Sequence, residues 1–296
     1  MDYIPGLAGV PATESEISYI DGQHGILTYR GYDIMELAEH SSFEETTLLL
    51  LFGKLPTQTE LYDFDTKLRK ARRVKYNLRE IMKNLPPTTH PMHMLQVAVA
   101  SLASFYPSTE YMKGGTENEQ YINQVTVNII SHMGTLVAMW EHMRNGFDPI
   151  EPRTDLTYAE NFLYMVTGQE PDKDWARLLD ACLILHAEHT INASTFTTMV
   201  TGSTLANPCS VISSAIASLS GPLHGGANQK VIEMLEEIGE PENAQAYIEQ
   251  RLKDKKVIWG MGHREYKTKD PRATILQNLS TELLEKKTDE GALSQS

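Results

Sequence analysis

Past residue 40 this chain keeps restarting helices, and that limits its fold more than any other feature. Ser42-Phe-Glu-Glu45 and Thr57-Gln-Thr-Glu60 both read as capping boxes, in which a hydroxyl and a carboxylate three residues on satisfy the orphan amides of a first turn. Gly53 and Pro56 separate the two helices they begin. Leu61, Phe64 and Leu68, then Leu78, Ile81, Met82 and Leu85, keep helical spacing over residues 60–84, with a basic interruption. A helix around His93–Tyr106 is followed by a polar loop at Pro107–Glu119. Further helices are expected at Asn123–Arg144, Tyr158–Thr167, Trp175–Asn192, Asn207–Ser220, Asn228–Ile238 and Glu242–Lys253, each bounded by Gly, Pro, Asn or Asp. One more is expected at Ala273–Lys286, before a polar tail from Thr288. Only the first 40 residues differ. There, glycines punctuate Ile17–Ile20 and Gly25–Tyr29, which read as one or two short hairpin strands. No run past residue 40 alternates at strand spacing, and no solenoid repeat is visible, so the expected class is all-α with short N-terminal strands.

With 296 residues and 41% hydrophobic content, the chain has enough material for one or two domains with a buried core and no disulfide or metal staple. Its formal net charge of −13 argues against nucleic acid or an anionic membrane as the main partner. Anionic ligands would therefore have to be met by locally concentrated cations. The densest run, Lys67 to Lys75, reads as a solvated helix face, with an anion-facing patch or a subunit contact as alternatives. The two cysteines, Cys182 and Cys209, lie among apolar residues without a CxxC or CxxH neighbour and read as small buried hydrophobes. Met1–Pro5 opens no basic or apolar leader, and apolar runs such as Leu48–Phe52 fall far short of the ~20 residues of a membrane span. A soluble, reducing, cytoplasmic setting is the expectation.

Three histidine segments carry the chemistry. In His186-Ala-Glu-His189, followed by Asn192-Ala-Ser, the histidines are three apart and would be neighbours on one helical face. That spacing is not the i, i+4 pair of a zinc helix. It leaves open a metal site, a structural pair or polar contacts to an anion. In Gly221-Pro-Leu-His224-Gly-Gly-Ala-Asn228, glycines let backbone approach a ligand, and the following helix start favours negative charge. The ending of a phosphate-cradling P-loop is missing. In Val257-Ile-Trp-Gly260-Met-Gly262-His263-Arg264, glycines again clear space beside an imidazole. Arg272 of Asp270-Pro-Arg272 could clamp a carboxylate, or simply pair with Asp270 within the loop.

Taken in order, these segments resemble the signature regions of the citrate synthase family. Ile20-Asp-Gly-Gln-His-Gly-Ile-Leu-Thr-Tyr-Arg-Gly-Tyr-Asp-Ile34 is similar to the family's opening, and the likeness runs from about residue 4 to about residue 285. The resemblance implies a multi-helical two-domain fold, with a large helical domain at residues 1–223 and a small domain at 224–296 meeting at a hinge near Gly221–Gly226. It implies condensation of acetyl-coenzyme A with oxaloacetate and water to give citrate and coenzyme A, the entry to the tricarboxylic acid cycle. No metal or resident cofactor is implied; the coenzyme A thioester is a co-substrate.

By the same resemblance, His224 would stabilise the enol oxygen of the thioester, and His263 would donate to the ketone of oxaloacetate. His189, Asn192 and Arg272 would hold oxaloacetate. The stretch Val257, Ile258, Trp259, Gly260, Met261 and Gly262 would lie along the adenine, with Lys267 and Lys269 near the phosphates. A homodimer or higher homo-oligomer is also implied. The family's methyl-abstracting aspartate, in an Asp-Phe-Tyr motif beyond the Asp-Pro-Arg element, has no counterpart here, and neither has the later arginine segment. Asp289 and Glu290 have no comparable setting. Impaired turnover by this chain is the expectation. A 2-methylcitrate synthase using propionyl-coenzyme A, and a catalytically incomplete assembly subunit or split-enzyme fragment, are the alternatives.

Overall fold

In a computed structural model, residues 9–106, 115–263 and 265–293 are described. The glycine-punctuated opening folds into a three-stranded antiparallel sheet of β1 (Ser18–Asp21), β2 (Ile26–Tyr29) and β3 (Tyr32–Asp33). Ser18 pairs with Tyr29 and Asp21 with Ile26, so β1 and β2 form a hairpin closed by residues 22–25. The Asp21 carboxylate fixes that turn by accepting from the Gln23 and His24 amides, at 3.0 and 3.1 Å.

The remainder is helical, as the repeated start signals predict. The first half holds α1 (Ile34–His40), α2 (Phe43–Phe52), α3 (Gln58–Ala71), α4 (Tyr76–Lys83), α5 (Pro91–Leu102) and α6 (Gly115–Arg144). Then follow α7 (Tyr158–Thr167), α8 (Lys173–Leu185), α9 (Ala193–Gly202), α10 (Pro208–Leu219), α11 (Ala227–Ile238), α12 (Ala244–Lys253) and α13 (Pro271–Leu293).

Several expectations change in detail. Thr57 and Glu60 form the full box, whereas Ser42 caps α2 alone because the Glu45 carboxylate accepts from the Ser41 hydroxyl instead. Residues 60–84 are two helices, broken where Arg72 turns inward. Arg72 is 1% exposed and donates to the carbonyls of Arg153 and Leu156, so this part of the basic run is not a solvated face. The helix after Pro91 stops at Leu102 and tightens into a 3-10 turn at Ala103–Phe105. Of the expected loop at Pro107–Glu119, residues 107–114 lie outside the described residues, and α6 already begins at Gly115. The expected polar tail from Thr288 is helical to Leu293, since nothing in Thr-Asp-Glu breaks a helix already running from Pro271.

Among the described residues, two larger hydrophobic cores and a smaller cluster of Leu48, Phe64 and Leu68 order these elements. The larger joins Leu78, Met82, Met94, Val99, Leu136, Met139, Trp140 and Met165, and binds α4–α7 to α10. The second places the site. It packs Leu27, Tyr29, Ile34, Leu37 and Leu49 against Ile184 and Leu185 at the end of α8, and against Ile275 in the first turns of α13. Burying each such aliphatic side chain contributes about 1.5–3 kcal/mol. The hairpin, the end of α8 and the start of α13 are thereby held as one body.

Candidate active site

The expected helix through residue 192 ends at Leu185, so the two histidines of the first segment do not share a helical face. His186 is the C-cap: its amide donates to the Cys182 carbonyl and its ring Nδ1 lies 2.7 Å from the same oxygen. Residues 186–192 form a turn in which Thr190 takes a left-handed φ of +65°, a costly conformation for a β-branched residue. Contacts from the distant hairpin stabilise it. The Ser18 hydroxyl donates to Glu188 Oε1 at 3.0 Å and accepts from the Thr190 amide at 3.1 Å. The buried Tyr29 hydroxyl lies 3.1 and 2.9 Å from the carbonyls of Ile184 and Glu188, and accepts from the Glu188 amide at 3.2 Å. Asn192 closes the turn by capping α9, its side chain accepting from the Thr195 amide at 3.0 Å.

The loop before α13 brings the third segment against this turn. Gly260 and Gly262 both sit at φ +81°, where other residues are strained. His263 Nδ1 accepts from the amides of Glu265 and Tyr266, at 3.1 and 3.2 Å. In the neutral ring the proton therefore belongs to Nε2, which makes Nε2–H a donor. The rings of His189 and His263 meet edge-on at 5.3 Å, and Tyr266 stands 5.8 Å from the first and 4.8 Å from the second.

Burial, with Arg272 and His263 nearby, pushes His189 down to about 4, and burial lowers His263 as well. Both rings are thus held toward the neutral form. Burial raises the Tyr266 phenol to about 12, which keeps it a donor. His189 Nε2 and the Tyr266 hydroxyl are both buried without a hydrogen-bond partner among the described residues. Two orphan polar atoms in one ring cluster are what a small polar ligand would satisfy.

Arg272 stands beside this cluster at the start of α13, paired through Nε and Nη2 with both oxygens of Asp270, the closest contact being 2.7 Å. Burial would raise Asp270, but its bonds to Arg272 outweigh this and hold it below the ordinary carboxylate range. Burial would likewise lower Arg272, and Asp270 instead holds it raised. The loop ion pair is therefore formed, and Arg272 remains next to the histidines as a fixed positive charge.

His224 is tied to a different neighbour. Its Nε2 lies 2.7 Å from the Ser194 hydroxyl on α9, whose oxygen is also 3.1 Å from the Ala215 carbonyl. The single Ser194 proton, given to the Ala215 carbonyl, leaves the hydroxyl to accept from Nε2–H; given to Nε2, it leaves the ring proton on Nδ1. Burial lowers His224 too. Of the expected coenzyme residues, Val257 is exposed and its carbonyl accepts from Arg251 Nε and Nη2, at 3.1 and 2.6 Å. Ile258 and Trp259 are half-buried, Met261 is exposed, and Gly260 passes so close to Val231 that a Cβ would stand 3.3 Å from it. The Lys267 amide donates to the Gly22 carbonyl at 2.8 Å, and Lys269 Nζ donates to Gln277 at 2.7 Å. Arg264 lies outside the described residues.

Among the described residues no group of three or more His, Cys, Asp or Glu could hold a metal ion. A cavity of about 380 Å³ lies elsewhere, lined by α2, α3 and α6 residues such as Leu51, Phe52 and Phe64. Sequence reasoning missed Tyr266, Ser18, Tyr29 and Ser194. Tyr266 was within reach, three residues after His263. Ser194 stands in the first segment itself, though its partner His224 is 30 positions on, and Ser18 and Tyr29 act from the remote hairpin and carry no local signal.

The profile described as "Citrate synthase, C-terminal domain" matches residues 6–295. The citrate synthase of Acidithiobacillus ferridurans is 57% identical over 282 residues, covering 95% of this chain and 73% of that protein. The Synechocystis citrate synthase is 50% identical over 281 residues, covering 95% and 70%. Among solved structures, Pyrobaculum aerophilum citrate synthase superposes with a TM-score of 0.88 at 39% identity, covering 96% of this chain and 72% of that one. A ternary complex of carboxymethyl coenzyme A and oxaloacetate with the citrate synthase of Thermoplasma acidophilum superposes with a TM-score of 0.85 at 30% identity, covering 96% and 74%.

Proposed function

Because this chain belongs to the citrate synthase family, we propose that its three histidine segments form a site for condensing acetyl-coenzyme A with oxaloacetate and water to citrate and coenzyme A. The observation that carries this reading is the ring cluster of His189, His263 and Tyr266 beside Arg272, with two buried, unpartnered polar atoms in it. Oxaloacetate is a dicarboxylate with a ketone. Arg272 supplies fixed positive charge for one carboxylate, and His189, in its Nε2–H tautomer, a donor for another oxygen. Asn192, whose Oδ1 is used as a cap, has its amide nitrogen left for substrate.

His263 Nε2–H polarises the ketone and stabilises the alkoxide that forms as the new carbon–carbon bond closes. His224, held at Nε2 by Ser194, stabilises the enol oxygen of the thioester after a base removes the methyl proton. Water then cleaves the thioester and releases coenzyme A. Residues 257–262 run along the adenine, with Lys267 and Lys269 toward the phosphates. Residues 224–296 supply the small-domain side of the site, of which α11 and α12 close over oxaloacetate about Gly221–Gly226 to exclude water while α13 stays on the body it forms with the hairpin and α8. Apolar side chains left exposed on α5 and α9, including Val97, Met199 and Val200, are consistent with a homodimer or larger homo-oligomer. Free Cys182 and Cys209 suit a reducing, cytoplasmic setting.

Of the carboxylates near the cluster, Asp270 is engaged by Arg272 and Glu188 by Ser18, while Glu265, whose charge also acts on His263 and Tyr266, is exposed to solvent. We therefore propose that the 296-residue chain binds oxaloacetate but turns over slowly. Calorimetric titration with oxaloacetate and thiol release with both substrates test this directly. Binding with little thiol release is the expected result. Absence of oxaloacetate binding would overturn the reading, and rapid thiol release would overturn the impairment.

A further inference from the structure

The N-terminal hairpin touches two of the three histidine-bearing segments, those of His189 and His263, one at each end. At its open end Ser18 and Tyr29, partners across the β1–β2 ladder, hold the turn of residues 188–190 through their hydroxyls. At its closed end the Gly22 carbonyl accepts from the Lys267 amide at 2.8 Å. The approach there is so close that a Cβ on Gly22 would stand 2.1 Å from the Glu265 carbonyl oxygen, and one on Gly25 would stand 3.0 Å from Thr268 Cγ2. Glu265 is the residue whose amide, with that of Tyr266, fixes His263 Nδ1.

From Ser18 to Gly22 is four residues of extended chain, about 13 Å. One short ladder thus spans the gap between two segments whose rings converge to 5.3 Å. Neither segment is held by regular structure of its own. Residues 186–192, 261–263 and 265–270 are irregular, and α8 and α13 reach only to their outer ends.

We propose that the hairpin is a positioning clamp for the oxaloacetate site, with Ser18 and Tyr29 setting His189 and the backbone at Gly22 setting His263. Its functional meaning rests on the assignment of those histidines to oxaloacetate; its geometry does not. Ser18 and Gly22 are positioning residues and touch no substrate.

The test uses the full chain, labelled with ¹⁵N-histidine, and follows the ring signals of His189 and His263 by NMR as pH is varied. Ser18→Ala and Gly22→Ala are each expected to displace both rings' signals and to raise the His189 midpoint from its low value, near 4. Ser18→Thr, which keeps the hydroxyl, restores the wild-type signals. Tyr19→Ala, on an exposed side chain between the two anchors, leaves them unchanged. Oxaloacetate binding weakens by up to about fivefold in Ser18→Ala, as the binding-competent turn loses one net hydrogen bond against its alternatives, and recovers in Ser18→Thr.

Wild-type ring signals and midpoints in folded Ser18→Ala and Gly22→Ala would overturn the clamp. Should Gly22→Ala not fold, Ser18→Ala, which removes one hydroxyl from a half-buried position, decides alone. If the wild-type chain fails to bind oxaloacetate, the functional assignment falls, while the ring signals still decide the clamp.

Discussion

At the scale of single residues, the site works by keeping donors neutral and partly unsatisfied. His189 is held at about 4 against an ordinary 6.5, by burial first and then by Arg272 and His263. Between those two values the unfolded chain binds a proton there that the folded chain refuses, so the unfolded state gains as pH falls. Its contribution is therefore fully present above about pH 6.5 and is progressively lost down to about pH 4. Denaturation midpoints measured from pH 7 to 4 should decline, and His189→Gln should decline less steeply; equal slopes would refute this assignment. Tyr266 offers a sharper separation of roles. Its hydroxyl is buried without a partner, so Tyr266→Phe removes an unmet desolvation cost and is expected to leave thermal stability unchanged or slightly higher. The same variant is expected to bind oxaloacetate roughly fivefold more weakly, the loss of one hydrogen bond. A drop in stability with unchanged affinity would make Tyr266 a packing residue.

Among the elements, helices whose ends are signalled locally were legible, and those ended by distant contacts were not. Tyr158–Thr167 is helical as expected, with a full box of Thr157 and Glu160 at its start and Gly168 in the left-handed region at its end. Thr157→Ala should cost about 1 kcal/mol, read as a loss of roughly 2–4 °C in thermal midpoint. Restoration by Thr157→Ser would separate the cap from methyl packing; a midpoint unmoved by Thr157→Ala would mean that the box adds nothing here. By contrast, His-Ala-Glu-His is acceptable in a helix, and nothing near it marks a stop at Leu185. The stop is made by Ser18 and Tyr29, some 160–170 positions earlier in the chain, whose hydroxyls take over backbone groups of Glu188 and Thr190. Glycines at 260 and 262, and the imidazoles beside them, marked the other half of the site because their chemistry is local. What could not be read was how the hairpin joins the two halves, since close backbone approach at Gly22 leaves no trace in its neighbours.

Across the whole molecule, stability is unevenly distributed, and this bears on closure. Helix α13 is anchored by Ile275 and Leu283 and packs on α1 and α8, so the chain after the His263 loop returns to the body that holds the hairpin. Helices α11 and α12 lack such an anchor. Only Met234 is buried in α11 and no residue in α12, while Ile232, Leu235 and Leu252 are more than half exposed. Few buried apolar side chains mean a low free energy of local opening. The acidic field adds to this: at a net charge of −13, any surface that must approach an anionic substrate does so against repulsion, except where Arg272 and neighbouring cations offset it. Native-state hydrogen exchange is therefore expected to rank α5, α6 and α10 slowest, α13 next, and α11 and α12 fastest. Oxaloacetate should slow exchange at residues 186–190 and 263–266 together, because one ligand bridges both. It should also slow α11, if the segment after Gly221–Gly226 closes over the bound acid. Protection confined to residues 186–190 and 263–266 would show that binding stops at the clamp and that α11 takes no part in closure.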